Sequence, residues 1–289
     1  MNMQKNVFSI DIGGTNIKCA TVFADGSISN HQTFATPVDY TGQELLQFFG
    51  QFIEKNLTEE TIGIGISTLG VVNEKEGIVT GACSNLSAIK GILLKKELER
   101  KFSLPVKVMN DVNAAALGER FYGAGRDLQQ FFCITLGTGI GGAFVYRGEI
   151  IEGANGLLGE VGYLLTDKTG SYEDRASAKA LMQKYGERQA CQTTLDPHSE
   201  IFSRWVQEVA RGLCEIIYVL DPGVVIIGGG ISKQGKSLTE PIQAQIDKII
   251  IREFREKTRI IPAKAGNAAS LMGVAATFFC EDDTRKVED

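Results

Sequence analysis

The chain has 289 residues, of which 43% are apolar and 22% are charged, enough for one large domain or two of ordinary size. Its formal net charge is −5, without the basic stripe of a nucleic-acid-binding protein, so we expect no nucleic-acid partner. It has no membrane-length apolar run and no apolar signal-peptide core near its N-terminus, which predicts a cytoplasmic protein without a membrane partner.

Hydrophobic runs and turn signals predict strands and helices in alternation along the first half of the chain. Thr41 and Glu44 form a capping-box pattern at the start of a helix. The predicted elements, in chain order, are strands 7–12, 17–23 and 27–36, a helix after residue 41, strand 62–67, helix 93–102, strand 106–109 and helix 113–122. Such alternation is typical of an α/β fold.

The same order then restarts near residue 131. A strand over 131–136, a glycine turn, a strand over 143–146 and an Arg147-Gly148 turn repeat the pattern of the first 26 residues. This predicts an internal duplication, with two similar halves that face each other across a cleft. The remaining predicted elements are helix 200–220 with a buried face that includes Ile201 and Trp205, strand 224–227, strand 259–262 and helix 269–279.

The first glycine motif, Asp11-Ile12-Gly13-Gly14-Thr15, lies between the first two predicted strands. Glycines allow backbone N–H groups to approach phosphate oxygens, Thr15 adds a hydroxyl donor, and Asp11 is placed to hold Mg²⁺ through water. The alternative is a hairpin turn that only needs glycine. The acid and the threonine beside the glycines favour the phosphate site.

The second glycine motif spans residues 137–142 and matches the dinucleotide fingerprint G-x-G-x-x-G. That fingerprint must open a helix, whereas a strand-like sequence follows here, so a second phosphate-holding hairpin is the better interpretation, with Thr138 nearest the transferred phosphate. Residues 230–237 also fit the P-loop pattern. No later strand ends in a magnesium-binding aspartate, so we expect glycines 228–230 to lie beside an adenosine instead.

Asn110 and Asp111 end one predicted strand just before an alanine-rich helix. Both residue types are good helix N-caps, which gives a purely structural explanation. A carboxylate at the carboxyl end of a strand is equally suited to accept the proton of an attacking hydroxyl. The residues alone leave these two alternatives open.

Taken together, these motifs resemble the ROK family of bacterial sugar kinases and repressors over nearly the whole chain. The resemblance includes Lys18 after the first turn, Ser67 at the end of a strand, and Gly159-Glu160-Val-Gly162. It implies the two-domain actin-like fold, a duplicated ribonuclease-H-like α/β fold with a cleft between the domains. The expected domains are 1–117 plus 270–289, and 118–269.

The resemblance also implies a role for individual residues. Asp111 would be the catalytic base, and Asn110 and Glu160 would bind sugar hydroxyls together with Asp111. Asn85, in a Ser-Asn-Leu loop, and Glu173, in a Glu-x-x-x-Ser pattern, are similarly placed. The nucleotide-binding residues would be Asp11, Gly13, Gly14, Thr15, Lys18, Gly137, Thr138, Gly139, Gly229 and Gly230.

One departure from the family concerns the position after Gly-Glu-x-Gly. Family members often have a histidine there, followed by a cysteine cluster that binds structural zinc. Here Tyr163 takes that position, and no cysteine follows up to Tyr172. We therefore predict no zinc site, and we expect Tyr163 to contact the sugar and to alter specificity at that point.

Two functions remain, an enzyme and a sugar-sensing regulatory protein of the same family without kinase activity. Repressors carry an additional N-terminal helix-turn-helix, which we do not expect here because Asp11 is preceded by only ten residues. Asp111 and both glycine turns favour an ATP-dependent sugar kinase that uses Mg²⁺. Its substrate would be a hexose or N-acetylated hexosamine of glucose or N-acetylmannosamine type, phosphorylated at the 6-hydroxyl. The resemblance also implies a homodimer.

Overall fold

The computed structural model describes residues 4–37, 39–81, 84–165, 170–185, 196 and 199–285. The chain divides into two compact units. The first comprises Met1–Tyr122 and Ala268–Asp289, and the second comprises Gly123–Asn267. In the described ranges, no helix has the length and apolarity that crossing a membrane requires.

The strands lie in both units. In chain order they are β1 (Asn6–Ile12), β2 (Asn16–Phe23), β3 (Ile28–Ala35), β4 (Thr61–Thr68), β5 (Val71–Asn73), β6 (Ile78–Gly81), β7 (Val106–Asn110), β8 (Gln130–Leu136), β9 (Ile140–Tyr146), β10 (Glu149–Ile150), β11 (Val224–Gly228) and β12 (Arg259–Pro262).

The α-helices follow the same alternation. They are α1 (Gly42–Glu54), α2 (Leu94–Phe102), α3 (Asp111–Tyr122), α4 (Tyr172–Ala176), α5 (Ala178–Tyr185), α6 (Glu200–Leu220), α7 (Lys236–Ile249) and α8 (Ala269–Arg285). Short 3₁₀ helices occur at Ser84–Ile89, Val161–Tyr163, Gly230–Gln234 and Gly266–Ala268.

The two units contain the same sheet. In the first, the strand order is β3-β2-β1-β4-β7, and in the second it is β10-β9-β8-β11-β12. In each, the first three strands of the unit form antiparallel pairs, and the two outer strands on the other side run parallel to the central one. This shared topology confirms the duplication that the repeated sequence pattern predicted.

Helices cover both faces of the sheet in the first unit. Alternate residues of β1 face opposite sides, so Phe8, Ile10 and Ile12 pack in the core beneath α1 and α2. Val7 packs on the other face with Leu271 of α8. Because both faces are covered, every residue of β1 is buried, as expected for a central strand, and this includes the polar residues Asn6, Ser9 and Asp11.

The core of the second unit forms around α6. Trp205 is fully buried there, and its indole N–H donates to the carbonyls of Ala176 and Ser177, at 3.1 and 3.2 Å. This contact fixes the junction of α4 and α5 against α6. The α4 helix carries Glu173, one of the residues that the family resemblance implies for sugar binding.

Most element boundaries agree closely with the predicted ones, with two corrections. The predicted strand 143–146 begins earlier, at Ile140, because residues 140–142 also pair with β8. Ile201 was expected on the buried face of α6, but it is 36% exposed, because Phe202 occupies the inward position in the first turn. The structure at residues 230–237 agrees with the rejection of a P-loop. Gly230–Gln234 is a 3₁₀ helix, and Gly235 has a left-handed φ of 58° before α7 begins.

Candidate active site

Asp11 is the centre of a polar cluster in the first unit. On β2 its register partner is Lys18, whose Nζ lies 3.1 Å from Asp11 Oδ2. On β4 its partner is Ser67, whose hydroxyl donates to Asp11 Oδ1 at 2.7 Å. Both the aspartate and the serine are buried. Neighbours on two strands therefore hold the carboxylate in one orientation.

The turn after Asp11 is closed tightly. The Gly13 N–H donates to the Asn16 carbonyl at 3.0 Å, and the Thr36 hydroxyl donates to the Gly13 carbonyl at 2.7 Å. A side chain at Gly13 would place its Cβ only 2.8 Å from the Asn16 carbonyl oxygen, so the turn requires glycine there. Gly14 is partly exposed and Thr15 is exposed, which leaves the Thr15 hydroxyl accessible on a rigid turn.

The carboxyl ends of β1, β4 and β7 meet at one edge of the first sheet. Ile12 pairs with Thr68, and Thr68 pairs with Asn110. Neighbouring strands are about 4.8 Å apart, so the strands that lead to Asp11 and Asp111 are separated by roughly 10 Å. In open α/β sheets this carboxyl edge is where ligands bind.

Asn110 is the N-cap of α3. Its Oδ1 accepts the N–H groups of Val112 and Asn113, at 2.8 and 3.1 Å, and its Nδ2 donates to the Gly70 carbonyl at 3.0 Å. The structural explanation of this residue therefore holds. A contact of Asn110 with sugar stays a prediction, and it would use the second N–H of the amide.

Asp111 is the first residue of α3 and is partly buried. Its Oδ1 accepts the Val112 N–H at 3.0 Å. Because Asn110 caps the helix, the start of α3 does not depend on the Asp111 carboxylate. The Val112 N–H thus orients the Asp111 side chain at the carboxyl edge of the sheet, and its role as a base stays a prediction.

Two glycine turns meet in the second unit. Between β8 and β9, the Gly137 N–H donates to the Gly139 carbonyl at 3.0 Å, and Thr138 is exposed. After β11, Gly229 has a φ of 83°, and a side chain there would place its Cβ 2.5 Å from the Leu136 carbonyl oxygen. Gly230 beside it is open to solvent. The predicted nucleotide-binding glycines of this unit are therefore neighbours at one edge.

Glu173 connects the first of these turns to a 3₁₀ helix. Its Oε2 accepts the Ile140 N–H at 3.2 Å. The same oxygen lies 2.7 Å from where a Cβ on Gly139 would be and 3.0 Å from where one on Gly162 would be. The Glu173 carboxylate therefore packs between the glycine turn at residues 137–139 and the 3₁₀ helix at Val161–Tyr163.

Glu160, Tyr163 and Glu173 form a cluster of weak acids. Partial burial raises the pKa of Glu160, and the nearby Glu173 raises it further. The pKa of Tyr163 is also raised, by burial and then by Glu173 and Glu160. All three predicted substrate-binding residues of the second unit thus lie within electrostatic range of one another.

A contact between two motif glycines, Gly142 and Gly159, positions this cluster, and the sequence did not predict their pairing. The Gly142 N–H of β9 donates to the Gly159 carbonyl at 2.8 Å. Gly159 has a φ of 103°, and a Cβ there would lie 2.0 Å from the Gly142 carbonyl oxygen. The close backbone contact fixes the segment that leads to Glu160. The Gly-Glu-x-Gly motif indicated Gly159, but its partner, Gly142, lies on a different element, β9.

Two further predictions concern Asn85 and zinc. The backbone of Asn85 lies in the 3₁₀ helix Ser84–Ile89, but its side chain is outside the described part of the chain. Within the described residues, no group of three His, Cys, Asp or Glu side chains forms a metal-binding cluster. The absence of zinc stays a prediction.

The duplicated sheets, each with a Gly/Thr turn at a carboxyl edge, define the class of two-domain actin-like proteins. The ROK family model matches residues 7–279, and the chain therefore belongs to the ROK family. The predicted fold class and family are both confirmed.

Named relatives cover nearly the whole chain. A β-glucoside kinase of Listeria innocua is 30% identical, over 96% of this chain and 98% of that protein. A glucokinase of Streptomyces coelicolor is 28% identical, over 92% and 95%. The structure of a ROK family glucokinase from Streptomyces griseus, in complex with glucose and AMPPNP, matches with a TM-score of 0.79 and 26% identity, over 94% and 98%. The chain is a sugar kinase of this family.

Proposed function

We propose that this protein transfers the terminal phosphate of ATP to the 6-hydroxyl of a hexose or N-acetylated hexosamine, with Asp111 as general base. One observation carries the proposal. Asp11, in its cluster with Lys18 and Ser67, and Asp111 lie at the same carboxyl edge of one sheet, two strands apart. That spacing leaves room for a transferred phosphoryl group and its acceptor hydroxyl.

Asp111 would act by accepting one proton. As the sugar hydroxyl attacks the terminal phosphorus, its proton passes to the Asp111 carboxylate, the new O–P bond forms, and the bond to the leaving ADP oxygen breaks. The Val112 N–H holds Asp111 Oδ1 at 3.0 Å, which fixes the carboxylate before the reaction. Orientation of this kind is a large part of phosphoryl-transfer catalysis.

The phosphates of ATP would be held by both glycine turns. Thr15 and Thr138 are exposed on turns whose backbones are tightly bonded, so their hydroxyls and the adjacent N–H groups can donate to phosphate oxygens without reorganisation. Lys18, 31% exposed at its side chain, adds positive charge beside the first turn. Gly230, beside the closely packed Gly229, offers open backbone for the nucleoside.

The residues present also fit Mg²⁺. This ion keeps several water ligands and usually takes one or two protein carboxylates together with substrate phosphates. Asp11 is a single carboxylate whose oxygens already contact Lys18 and Ser67, which suits a contact through water. When bound, the ion would neutralise charge on the phosphate oxygens.

The sugar would be recognised mainly by carboxylates. Glu160 and Glu173 accept hydrogen bonds from ring hydroxyls, and Asn85, Asn110 and Tyr163 complete the proposed set. The support is the clustering of Glu160, Glu173 and Tyr163, together with relatives named for glucose and β-glucosides. A primary hydroxyl is the expected acceptor because it extends furthest from the ring.

The test is an ADP-release assay with Mg-ATP and a panel of hexoses, N-acetylated hexosamines and β-glucosides. We expect strong release with one sugar class and little in a control without sugar. The phosphorylated carbon is then identified by ³¹P and ¹³C NMR of the product. Sugar-independent hydrolysis, or no release with the entire panel, would refute the proposal.

We also propose a cytoplasmic homodimer. Its support is an exposed apolar patch at the ends of α6 and α7. Val219 and Ile251 are 81% and 52% exposed there, and the Ile251 N–H donates to the Tyr218 hydroxyl at 3.0 Å. Contiguous apolar surface of this kind favours self-association. Light scattering should give twice the chain mass, and a monomer at micromolar concentration would contradict it.

A further inference from the structure

The first turn of α3 is hydrogen-bonded to the segment that follows β4. The Asn110 Nδ2 donates to the Gly70 carbonyl at 3.0 Å. Three residues further on, the Asn113 Nδ2 donates to Glu74 Oε1 at 3.3 Å. Asp111 lies between these two asparagines. The two hydrogen bonds therefore flank the residue that is proposed as the general base.

The hairpin of β5 and β6, which carries Glu74 in its turn, is itself held firmly. The Gly77 N–H donates to the Asn73 carbonyl at 2.8 Å and closes the turn. Gly77 has a φ of 65°, and a Cβ there would collide with Lys95 Cβ, so the turn packs directly on α2. The Lys95 Nζ also donates to the Lys75 carbonyl at 3.2 Å. Glu74 therefore extends from a fixed support.

The other strand of this hairpin contacts the segment that follows the 3₁₀ helix Ser84–Ile89. The Gly91 N–H donates to the Val79 carbonyl at 2.9 Å, and Val79 also forms a bridge with Lys90. The hairpin is thus bonded on one side to this segment and on the other side to the start of α3. It connects two stretches of the chain that carry proposed sugar-binding residues.

The hydrogen bond between Asn113 and Glu74 suits a positioning role. A carboxylate acceptor makes a stronger hydrogen bond than a neutral one. The backbone N–H of Asn113 is bound as well, by Asn110 Oδ1 at 3.1 Å. Asn113 is therefore fixed through both its backbone and its side chain, at a helix end, where helices otherwise fray. Phosphoryl transfer is sensitive to such support, since a misplacement of about 1 Å can cost about 10²-fold in rate.

We propose that Glu74 and Asn113 are positioning residues for the reaction. Their hydrogen bond holds the first turn of α3 against the hairpin, and so fixes the Asp111 carboxylate where it accepts the proton of the sugar hydroxyl. Neither residue has to touch the substrate. This inference rests on the proposed function, because it concerns the placement of the proposed base.

The kinetic test removes either partner of the hydrogen bond. Glu74→Ala and Asn113→Ala should each lower kcat by about three- to tenfold, less than a full displacement of the base would cost, and leave the KM for ATP near its wild-type value. Glu74→Gln keeps an oxygen that accepts from Asn113 and should restore kcat. The double alanine variant should lose no more than either single one, because all three lack the same bond.

Lys95→Ala serves as the matched control. It removes the hydrogen bond to the Lys75 carbonyl on the same hairpin, but none of the bonds to α3. Its kcat should equal that of the wild type. A wild-type kcat in Glu74→Ala, additive losses in the double alanine variant, or an equal loss in Lys95→Ala would overturn the inference.

Hydrogen–deuterium exchange separates this inference from the kinase proposal, because it needs no turnover. The peptide over residues 110–116 contains the Val112 and Asn113 amides, both accepted by Asn110 Oδ1. Its exchange should be faster in both single alanine variants than in the wild type and in Lys95→Ala. Unchanged exchange would overturn the inference even in an active kinase. Failure of the kinase proposal would be seen separately, as a wild-type protein without sugar-stimulated ADP release.

Discussion

Replacement of Asp111 by Asn tests the proposed general base with little change in structure. The amide has the shape of the carboxylate. Its oxygen can still accept the Val112 N–H, which in the wild-type protein lies 3.0 Å from Asp111 Oδ1. Asn110 remains the N-cap of α3. The variant loses the ability to accept a proton and one negative charge at a helix N-terminus.

The two losses have very different magnitudes. General acid–base catalysis contributes about 10²- to 10⁴-fold, so kcat should fall by that factor, a barrier increase of about 3–5 kcal/mol. The missing charge at the start of α3 costs about 0.3–1 kcal/mol of stability, which corresponds to a decrease in Tm of at most roughly 4 °C. Activity should therefore be lost in a protein that is still folded.

The assay is sugar-dependent ADP release by Asp111→Asn, with thermal unfolding followed by circular dichroism. Lys236→Ala is the control, because Lys236 begins α7 after a 3₁₀ helix and belongs to no P-loop. It should retain activity within a few-fold. Near-normal turnover in Asp111→Asn, or a large loss in Lys236→Ala, would refute the assignment.

Two further predictions concern pH and packing. Glu173→Gln removes a negative charge that raises the pKa of Glu160, so the pKa of Glu160 should fall. The acid limb of the plot of kcat/KM against pH should then move to lower pH. An acid limb at the same pH as in the wild type would contradict this prediction. Gly273→Ala would place a Cβ 1.7 Å from the Ala114 carbonyl oxygen and should lower Tm by roughly 6–12 °C, whereas Gly81→Ala, in open space, should not. Equal Tm values for the two alanine variants would count against the tight α3–α8 contact.

Local sequence signals predicted much of the fold. The capping box at Thr41 and Glu44 is present at the start of α1, and the predicted helix 200–220 has the observed bounds of α6. The turn glycines were informative because a positive φ or a close backbone contact excludes other residues, as at Gly229. Each of these signals involves only a few neighbouring residues, so it can be recognised in a single sequence.

Contacts between distant residues were harder to predict. The Asn113 amide donates to the Glu74 carboxylate at 3.3 Å, and so connects α3 to the hairpin of β5 and β6, which no pattern indicated. Glu173 was expected only to bind sugar, yet it also supports the turn at Ile140. Such pairings depend on which elements pack together, and a single sequence does not specify this.

The duplicated sheets allow the two copies of the site to be compared position by position. The strand orders make β1 equivalent to β8, β2 to β9 and β4 to β11. In the first copy, the next-to-last residue of the central strand is Asp11, opposite Lys18 and Ser67. That copy places an ion pair and a hydroxyl at the edge.

In the second copy the equivalent residue is Thr135, opposite Gly141 of β9 and Gly228 of β11. The charged pair has become a hydroxyl between two glycines, so this edge presents backbone where the first presents charge. The contrast continues at the last strand, since β7 leads into Asp111 whereas β12 leads into Ala263. On the proposed function this divergence has a physical reason. Phosphoryl transfer requires one proton acceptor and one metal-binding carboxylate, and the first edge alone carries both, in Asp111 and Asp11.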